Sequence, residues 1–331
     1  MPYLGTSSSE EARGSIRHMS FNLVGGLAGG VEGFELGTAF NLQTGTVDGA
    51  QIAGAFNWVR GSVHGAQIAG ATNLVRGSTD GMQLAGAFNM SRGTVAGFQL
   101  GGAANLASAG ATGAQLAGGA NLALGDVEGA QVAGAMNLTR GSLRGLTLAP
   151  VNIVTGEVRG VQVGVVNVAE SSDFSLGLVN INTRGRTHID VWAQPESALV
   201  AAGVKHGGTY WHSIYGVGLT VTEGGAAVVL GLGGHIPIRE RFFLDIDGLG
   251  EWLPTVDDFD ELAFLTQARV VFGYRLLPEL AVFAGPTYNV LLSERGSEFE
   301  APDHGKRAGS SEDPWVHLWP GAVLGVQILA D

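Results

Sequence analysis

The chain contains no cysteine, which excludes disulfides, thiol nucleophiles and cysteine-ligated metal centres. Charge is also scarce: Asp, Glu, Lys and Arg make up 15% of residues, against roughly 25% in an average soluble domain. Positive charge is the scarcer sign, with 18 Lys and Arg and a formal net charge of −12. That balance lacks the electrostatic footprint of a nucleic-acid binder, so no nucleic-acid partner is expected. No run reaches the roughly 18 consecutive apolar residues of a transmembrane helix. Residues 1–19, "MPYLGTSSSEEARGSIRHM", lack an apolar signal-peptide core. They are expected to be a leader or capping segment, with any export signal already removed.

Glycine is abundant instead, at 54 of 331 residues, alongside 45% hydrophobic residues. The apolar content argues against disorder, and the glycines lack the three-residue period of collagen. Their order is a repeat. Asparagine recurs every sixteen residues at Asn41, Asn57, Asn73, Asn89, Asn105, Asn121 and Asn137, then at Asn152 and Asn167 after fifteen-residue steps. Glutamine recurs at Gln51, Gln67, Gln83, Gln99, Gln115 and Gln131, with Gln162 later. Degraded copies at Asn22 and Asn180 have the character of capping units.

Each unit, such as Val63 to Ser78, offers two short extended segments separated by glycine turns, with Gly61, Gly77 and Gly93 expected at positive φ. Helix is disfavoured, because glycine costs about 1 kcal/mol per residue relative to alanine. Two β architectures compete. In a solenoid every coil meets the same surroundings, whereas in a meandering barrel alternate turns lie at opposite rims and odd and even units should differ. They do not differ: Arg60, Arg76, Arg92 and Arg140 each precede a Gly-Ser or Gly-Thr turn. The Gln-to-Asn spacing also shrinks from six residues in "QIAGAFN" to five in "QVGVVN". A residue lost within a strand would swap its faces, so a bend is placed between Gln and Asn and the solenoid is favoured. The Gln and Asn columns are read as amide ladders along the stack.

From Thr187 the sixteen-residue rhythm gives way to longer period-two segments. Phe242, Leu244, Ile246 and Trp252 alternate with Asp245, Asp247 and Glu251, and Phe264, Ala268, Val270, Phe272 and Tyr274 alternate with Gln267, Arg269 and Arg275. About eight such strands are expected, enough to close a small barrel. In that reading Asp245, Asp247, Glu251, Arg269 and Arg275 form ion pairs inside the barrel, and Trp211, Phe242, Trp252 and Tyr274 form an aromatic girdle near strand ends. A soluble sheet with its polar face in water predicts the same alternation.

The string "VQVGVVNVAESSDFSLGLVNINTRG", Val161 to Gly185, followed by "HIDVW" and "GVKHGGTYW", resembles the surface-repeat proteins first catalogued in spirochaetes. Members of that family carry tandem "GLQIGLVNI" units ahead of a β-rich C-terminal region. The resemblance runs from about Ser20 to Gly285, although the central units here read "AGAFN" in place of "GLVN". It implies residence in a bacterial outer membrane or at a cell surface, and supplies no active site.

Catalytic and metal motifs are weak. The eight histidines form neither H-x-x-x-H nor H-E-x-x-H. His188 with Asp190 offers half a metal site at most, and His206 and His212 flank a turn. The acidic "VDDFDE", Val256 to Glu261, lacks the alternating ligands and glycine of an EF-hand loop. No G-x-S-x-G elbow occurs, and "GLGGH" at Gly231 to His235 is followed by strand pattern rather than helix.

The expectation is an all-β, non-enzymatic protein needing no cofactor and no metal. Residues 1–19 cap, residues 20–186 form the tandem-repeat β region, and residues 187–331 form an antiparallel eight-stranded barrel or barrel-like sheet. The fold alternative is a single outer-membrane barrel of about 18 strands. The expected function is a bacterial outer-membrane or surface protein acting through lipid contact or homo-oligomeric assembly. The alternatives are a porin-like channel and a soluble ligand- or glycan-binding scaffold using Trp211, Trp252, Trp315 and Trp319 as stacking platforms.

Overall fold

The computed structural model describes residues 3–4, 14–221, 225–253, 263–293, 302, 305–308 and 315–330. The chain is all-β and divides into two units, Met1–Thr183 and Arg184–Asp331. The acidic Val256–Glu261 segment lies outside the described residues, as do the side chain of Trp315 and most of the segment from Glu294 to Pro314.

The first unit is a parallel β-solenoid. A 12-stranded sheet and an 11-stranded sheet are each built from strands contributed in succession by the coils. One coil runs through Val47–Ala53, turns at Gly54 and Ala55, and continues through Phe56–Val59. The register is residue-for-residue: Gln83 pairs with Gln67 and Gln99, and Asn89 with Asn73 and Asn105. The bend thus falls between Gln and Asn, as the spacing requires. Where the unit shortens, Leu143–Leu148 and Val151–Val154 keep their register on both sides, so the lost residue is absorbed at the Ala149–Pro150 corner. A single barrel of about 18 strands is not formed.

The glycine expectation needs correction. Gly61, Gly77 and Gly93 do not have positive φ; the positive values fall at Gly49, Gly65, Gly81 and their equivalents inside the long strands, and at one turn glycine, Gly110. Gly65 has φ +133°, and a Cβ there would collide with the carbonyl oxygen of Gly49 in the adjacent coil. Gly61 is needed for space alone, because its Cβ would press on the Gly45 backbone.

The solenoid interior is narrow, filled by columns of Val and Ala and by two columns of amides. Gln51, Gln67, Gln83 and Gln99 are fully buried, as are Asn41, Asn57, Asn73 and Asn89. Burying an amide unbonded costs several kcal/mol, and each column solves this with a chain of hydrogen bonds. In the Gln column Nε2 of each residue donates to Oε1 of the preceding coil, from Gln67 to Gln51 at 3.0 Å and from Gln99 to Gln83 at 2.7 Å. In the Asn column donation runs the other way, from Asn57 to Asn73 and from Asn73 to Asn89 at 2.9 Å. The second Asn hydrogen goes to a backbone carbonyl beside the corner of the next coil: Asn57 to Ile68 at 3.0 Å, Asn89 to Leu100 at 2.8 Å.

The Gln chain ends on a carboxylate. Glu35 occupies the Gln position one coil before Gln51 and accepts from Gln51, Gln43 and Asn22. An acceptor-only group is the natural terminus for a column whose last member still has an N–H to place. Burial nevertheless raises the Glu35 pKa, with the three amide donors and the Arg17 charge acting in the opposite direction.

The second unit is a closed antiparallel barrel of eight strands: Arg186–Gln194, Leu199–Gly207, Trp211–Thr220, Ala226–Arg239, Phe242–Trp252, Ala263–Leu277, Leu280–Ser293 and Trp315–Ala330. Closure comes from pairing of the first with the last, Thr187 with Ala330 through Ala193 with Leu324. A 3-10 turn, Pro195–Ser197, joins the first two strands, and the short strand Lys306–Ala308 pairs with the last. Alternation fixes two faces. Asp245, Asp247 and Glu251 point inward and are buried, while Phe242, Ile246 and Trp252 point outward and are exposed.

Two predictions follow from the ladders. Asn105→Leu strands the Asn89 N–H, the Asn121 Oδ1 and the Leu116 carbonyl. Each orphaned group costs about 1–3 kcal/mol, so the denaturant midpoint of the solenoid, followed by circular dichroism, should fall well below that of Leu106→Ala. For Glu35, the folded state holds its proton more tightly than the unfolded state, so stability from this site is full below pH ~4.5 and lost as pH rises through the raised folded value. Glu35→Gln should remove that loss: its stability relative to the native chain should grow from pH 4 towards neutrality, read by amide exchange in the first coils.

Candidate functional site

The barrel interior holds a buried charged cluster with Lys205 at its centre. Its Nζ lies 2.7 Å from Asp245 Oδ2, 3.4 Å from Asp190 Oδ2 and 3.5 Å from Asp247 Oδ2. Arg269 Nε donates to Asp247 Oδ2 at 2.9 Å, and Asp247 and Arg269 are direct cross-strand partners. His212 Nε2 meets Asp247 Oδ1 and His235 Nδ1 meets Asp245 Oδ1, each at 2.7 Å. Gln327 Nε2 donates to Asp190 Oδ1 at 3.0 Å. The cluster joins residues from seven strands across the lumen, each side chain turned inward by strand parity.

Glycines make this packing possible. A Cβ on Gly233 would collide with Asp247 Oδ1, and Cβ atoms on Gly203 and Gly216 would crowd the Trp192 indole. That indole lies 5.2 Å from the Arg269 guanidinium, in a cation–π contact. Trp192, Ile214, Leu249, Val271 and Phe283 form one buried apolar cluster, and Leu199, Leu265, Leu291 and Trp319 belong to another. Eight strands enclose a space that side chains fill, and these do so.

Of the ion-pair residues expected from sequence, the structure brings together Asp245, Asp247 and Arg269. Two expectations are corrected. Glu251 is buried but bonded by Gln194 Nε2 at 2.6 Å rather than by a cation. Arg275 lies near its strand end, half-buried and outside the cluster, because the strand register leaves it beyond the last acidic residue. Sequence reasoning gave Asp190 and His212 other partners, His188 and His206, and missed Lys205 and His235. Their signal was available only as single polar residues at inward parity on strands that otherwise read as apolar.

His212, Asp245 and Asp247 are the group of metal-ligand type whose donor atoms approach within 4.8 Å among the described residues. The Lys205 ammonium stands between the carboxylates, where a cation would otherwise sit, so the arrangement is a salt-bridge cluster. Asp190 is committed to Lys205 and Gln327 rather than to His188. His206 bonds Thr187 on the outward side, so it does not join His212.

The outer surface is the inverse of the lumen. Val217 and Leu219 are 65% exposed and Phe272 57%, and no Asp, Glu, Lys or Arg stands at an outward position between residues 242–252 or 280–293. Aromatic residues sit at both ends of one strand pair: Phe242 packs on Tyr274 with centroids 4.9 Å apart, and Trp252 pairs with Phe264 at the opposite end. Trp211 is a correction. It has outward parity but is 3% exposed, so its indole is packed at the strand start instead of presented at a rim. Trp319 is also buried, which leaves no exposed Trp211–Trp319 platform for sugar stacking. The amide columns are likewise interior and are not a binding surface.

No protein-family model, curated protein or solved structure matches the chain. Function must therefore be argued from this geometry.

Removing one member of the cluster leaves uncompensated buried charge. Lys205→Met should cost about 3–5 kcal/mol, and Lys205→Met with Asp245→Asn should recover part of that loss in denaturant unfolding. Losses that simply add, the double variant costing the sum of Lys205→Met and Asp245→Asn alone, would show that the pair is not coupled.

Proposed function

We propose that the C-terminal unit is a bilayer-spanning barrel that anchors a non-catalytic β-solenoid at a bacterial outer membrane or cell surface. The observation that carries this reading is the inverted polarity of a closed eight-stranded barrel: ionic groups inside, exposed apolar side chains outside. A water-soluble barrel would gain by placing those apolar groups in its core. Closure leaves no open sheet edge, the requirement hydrocarbon imposes on β structure.

The dimensions fit. The 11-residue strand Phe242–Trp252 covers about 33 Å along its length, or about 25 Å of height at the ~40° tilt common to such barrels. That height matches the apolar band of an outer-membrane barrel, with aromatic residues at its two borders. The packed lumen favours an anchor over a channel. The resemblance to bacterial surface-repeat proteins points the same way.

Detergent, and neither carbonate nor high salt, should release the protein from membranes, and the unheated barrel should migrate anomalously on gels. Leu230→Arg should weaken insertion by about 2–4 kcal/mol if that residue lies near mid-bilayer, whereas Thr112→Arg in the solenoid should leave extraction unchanged. Purified protein in planar bilayers should give no steady conductance. Free solubility without detergent would overturn the anchor.

A further inference from the structure

The solenoid has its own unexplained surface. On the 11-stranded sheet, each four-residue strand presents two outward side chains, as Phe56 and Trp58 in one coil and Leu106 and Ala104 in another. From Phe40–Gln43 to Val179–Asn182 every outward residue is apolar except Thr72. Ten strands at this spacing make a strip about 43 Å long. The strip continues round the corner, where Ile52, Ile68, Leu100 and Leu148 face outward from the longer strands.

Charge is confined to the other side of the coil. Arg60, Arg76 and Arg92 stack in successive coils at the end of the short strands, with Arg140 further along, and all four are exposed. None of them forms an ion pair among the described residues; Arg76 lies 5.7 Å over the Trp58 ring. The coils are therefore amphipathic in cross-section: apolar over one flat face and one corner, with arginine on the rim of that face in four coils. Ser108, Leu124, Thr155 and Glu170 take the equivalent place in others, and Asp126 and Glu157 lie at the same corner.

The backbone of this surface is paired along all but its last strand, Val179–Asn182. From Phe40–Gln43 to Val166–Ala169 the strand N–H and C=O groups bond to the coils on either side, and the corner follows suit: Ala55 N donates to Ala39 O and Ala71 N to Ala55 O, each at 2.8 Å. Over those paired strands the flank presents side chains rather than unpaired backbone, the condition for contact with hydrocarbon.

We infer that this apolar face and corner lie in the interfacial layer of an anionic lipid leaflet, with the Arg60, Arg76, Arg92 and Arg140 rim against its phosphate headgroups. A fluid leaflet can cover a flat face and the adjoining corner together. A second copy stacked on the flat face would leave the Ile52 to Leu148 column in water and the arginine rim without anions. Lipid contact of this kind combines buried apolar area with attraction of cationic side chains to anionic headgroups. The inference builds on the anchor reading, which supplies the bilayer.

The absence of cysteine makes the test direct. Full-length single-cysteine variants Leu74→Cys, Leu106→Cys and Leu100→Cys report on the face and corner, Thr112→Cys is the exposed control, and Leu230→Cys reports on the barrel. Each is labelled with bimane and reconstituted in phosphatidylcholine vesicles containing phosphatidylglycerol, with lipids bearing a shallow acyl-chain nitroxide. Labels at 74, 100 and 106 should be quenched at least threefold more than the label at 112. Replacing Arg60, Arg76 and Arg92 with Gln should reduce that difference. Quenching at 230 without quenching at 74, 100 and 106 would overturn the inference while leaving the anchor standing. Quenching at 74, 100 and 106 but not at 230 would support the inference and remove the anchor. Pyrene excimers at Leu74→Cys, with no lipid quenching, would assign the face to a second copy and overturn the inference.

Discussion

A buried carboxamide has two hydrogens to donate and an oxygen to fill, and inside a narrow stack the nearest partner is its own copy one coil away. That constraint governs the solenoid. Once Asn57 donates to Asn73, the next coil must supply an amide at the same height and on the same face, and so must the coil after it. In-register pairing, the sixteen-residue spacing and the small Val and Ala columns are all consequences of keeping that chain of donors unbroken. The two columns donate in opposite directions, so the polarity of one is offset by that of the other.

The columns differ in how far they extend, and the bonding explains why. The Gln column gives way to Thr147 and later to Ser175, whereas the Asn column persists through Asn152, Asn167 and Asn180. Each Gln amide bonds chiefly to its neighbour in the column, so a hydroxyl can replace it: Thr139 already donates to Gln131, and Ser175 to Gln162. Each Asn also holds the carbonyl that enters the corner, as Asn152 does for Val163. Losing an Asn would unmake the bend as well as the ladder.

The barrel solves the same problem of buried polarity without repetition. Its cluster around Lys205 is assembled from residues far apart in sequence, Asp190 and Gln327 among them, and its satisfaction depends on complementary charge rather than on copies. Both units share one outcome: main-chain groups are consumed within the β structure, and large parts of the outer surface are left apolar. The low charged fraction of the chain is the compositional mark of those surfaces, and Arg60, Arg76, Arg92 and Arg140 of the repeat lie along a single rim.

Repetition made the solenoid legible, because a sixteen-residue period and a five-residue Gln-to-Asn step admit few geometries besides a coil bent between those residues. Period-two alternation likewise marked the barrel strands and the Asp245, Asp247 and Arg269 face. The sequence alone could not say which face was inside, since alternation is unchanged when a sheet is turned over; closure of Arg186–Gln194 on Trp315–Ala330 decided it. It could not find Lys205 or His235, or give His212 its partner, because a lone polar residue in an apolar strand acquires a partner only when another strand is laid beside or across from it. Nor could it exclude Glu251 and Arg275 from the ion pairs or bury Trp211, since parity specifies a direction and only packing specifies a neighbour. The sequence determined the period, the bend and the two faces of each strand; the tertiary structure decided which face met which, because contact between distant segments is a property of the closed fold and not of local pattern.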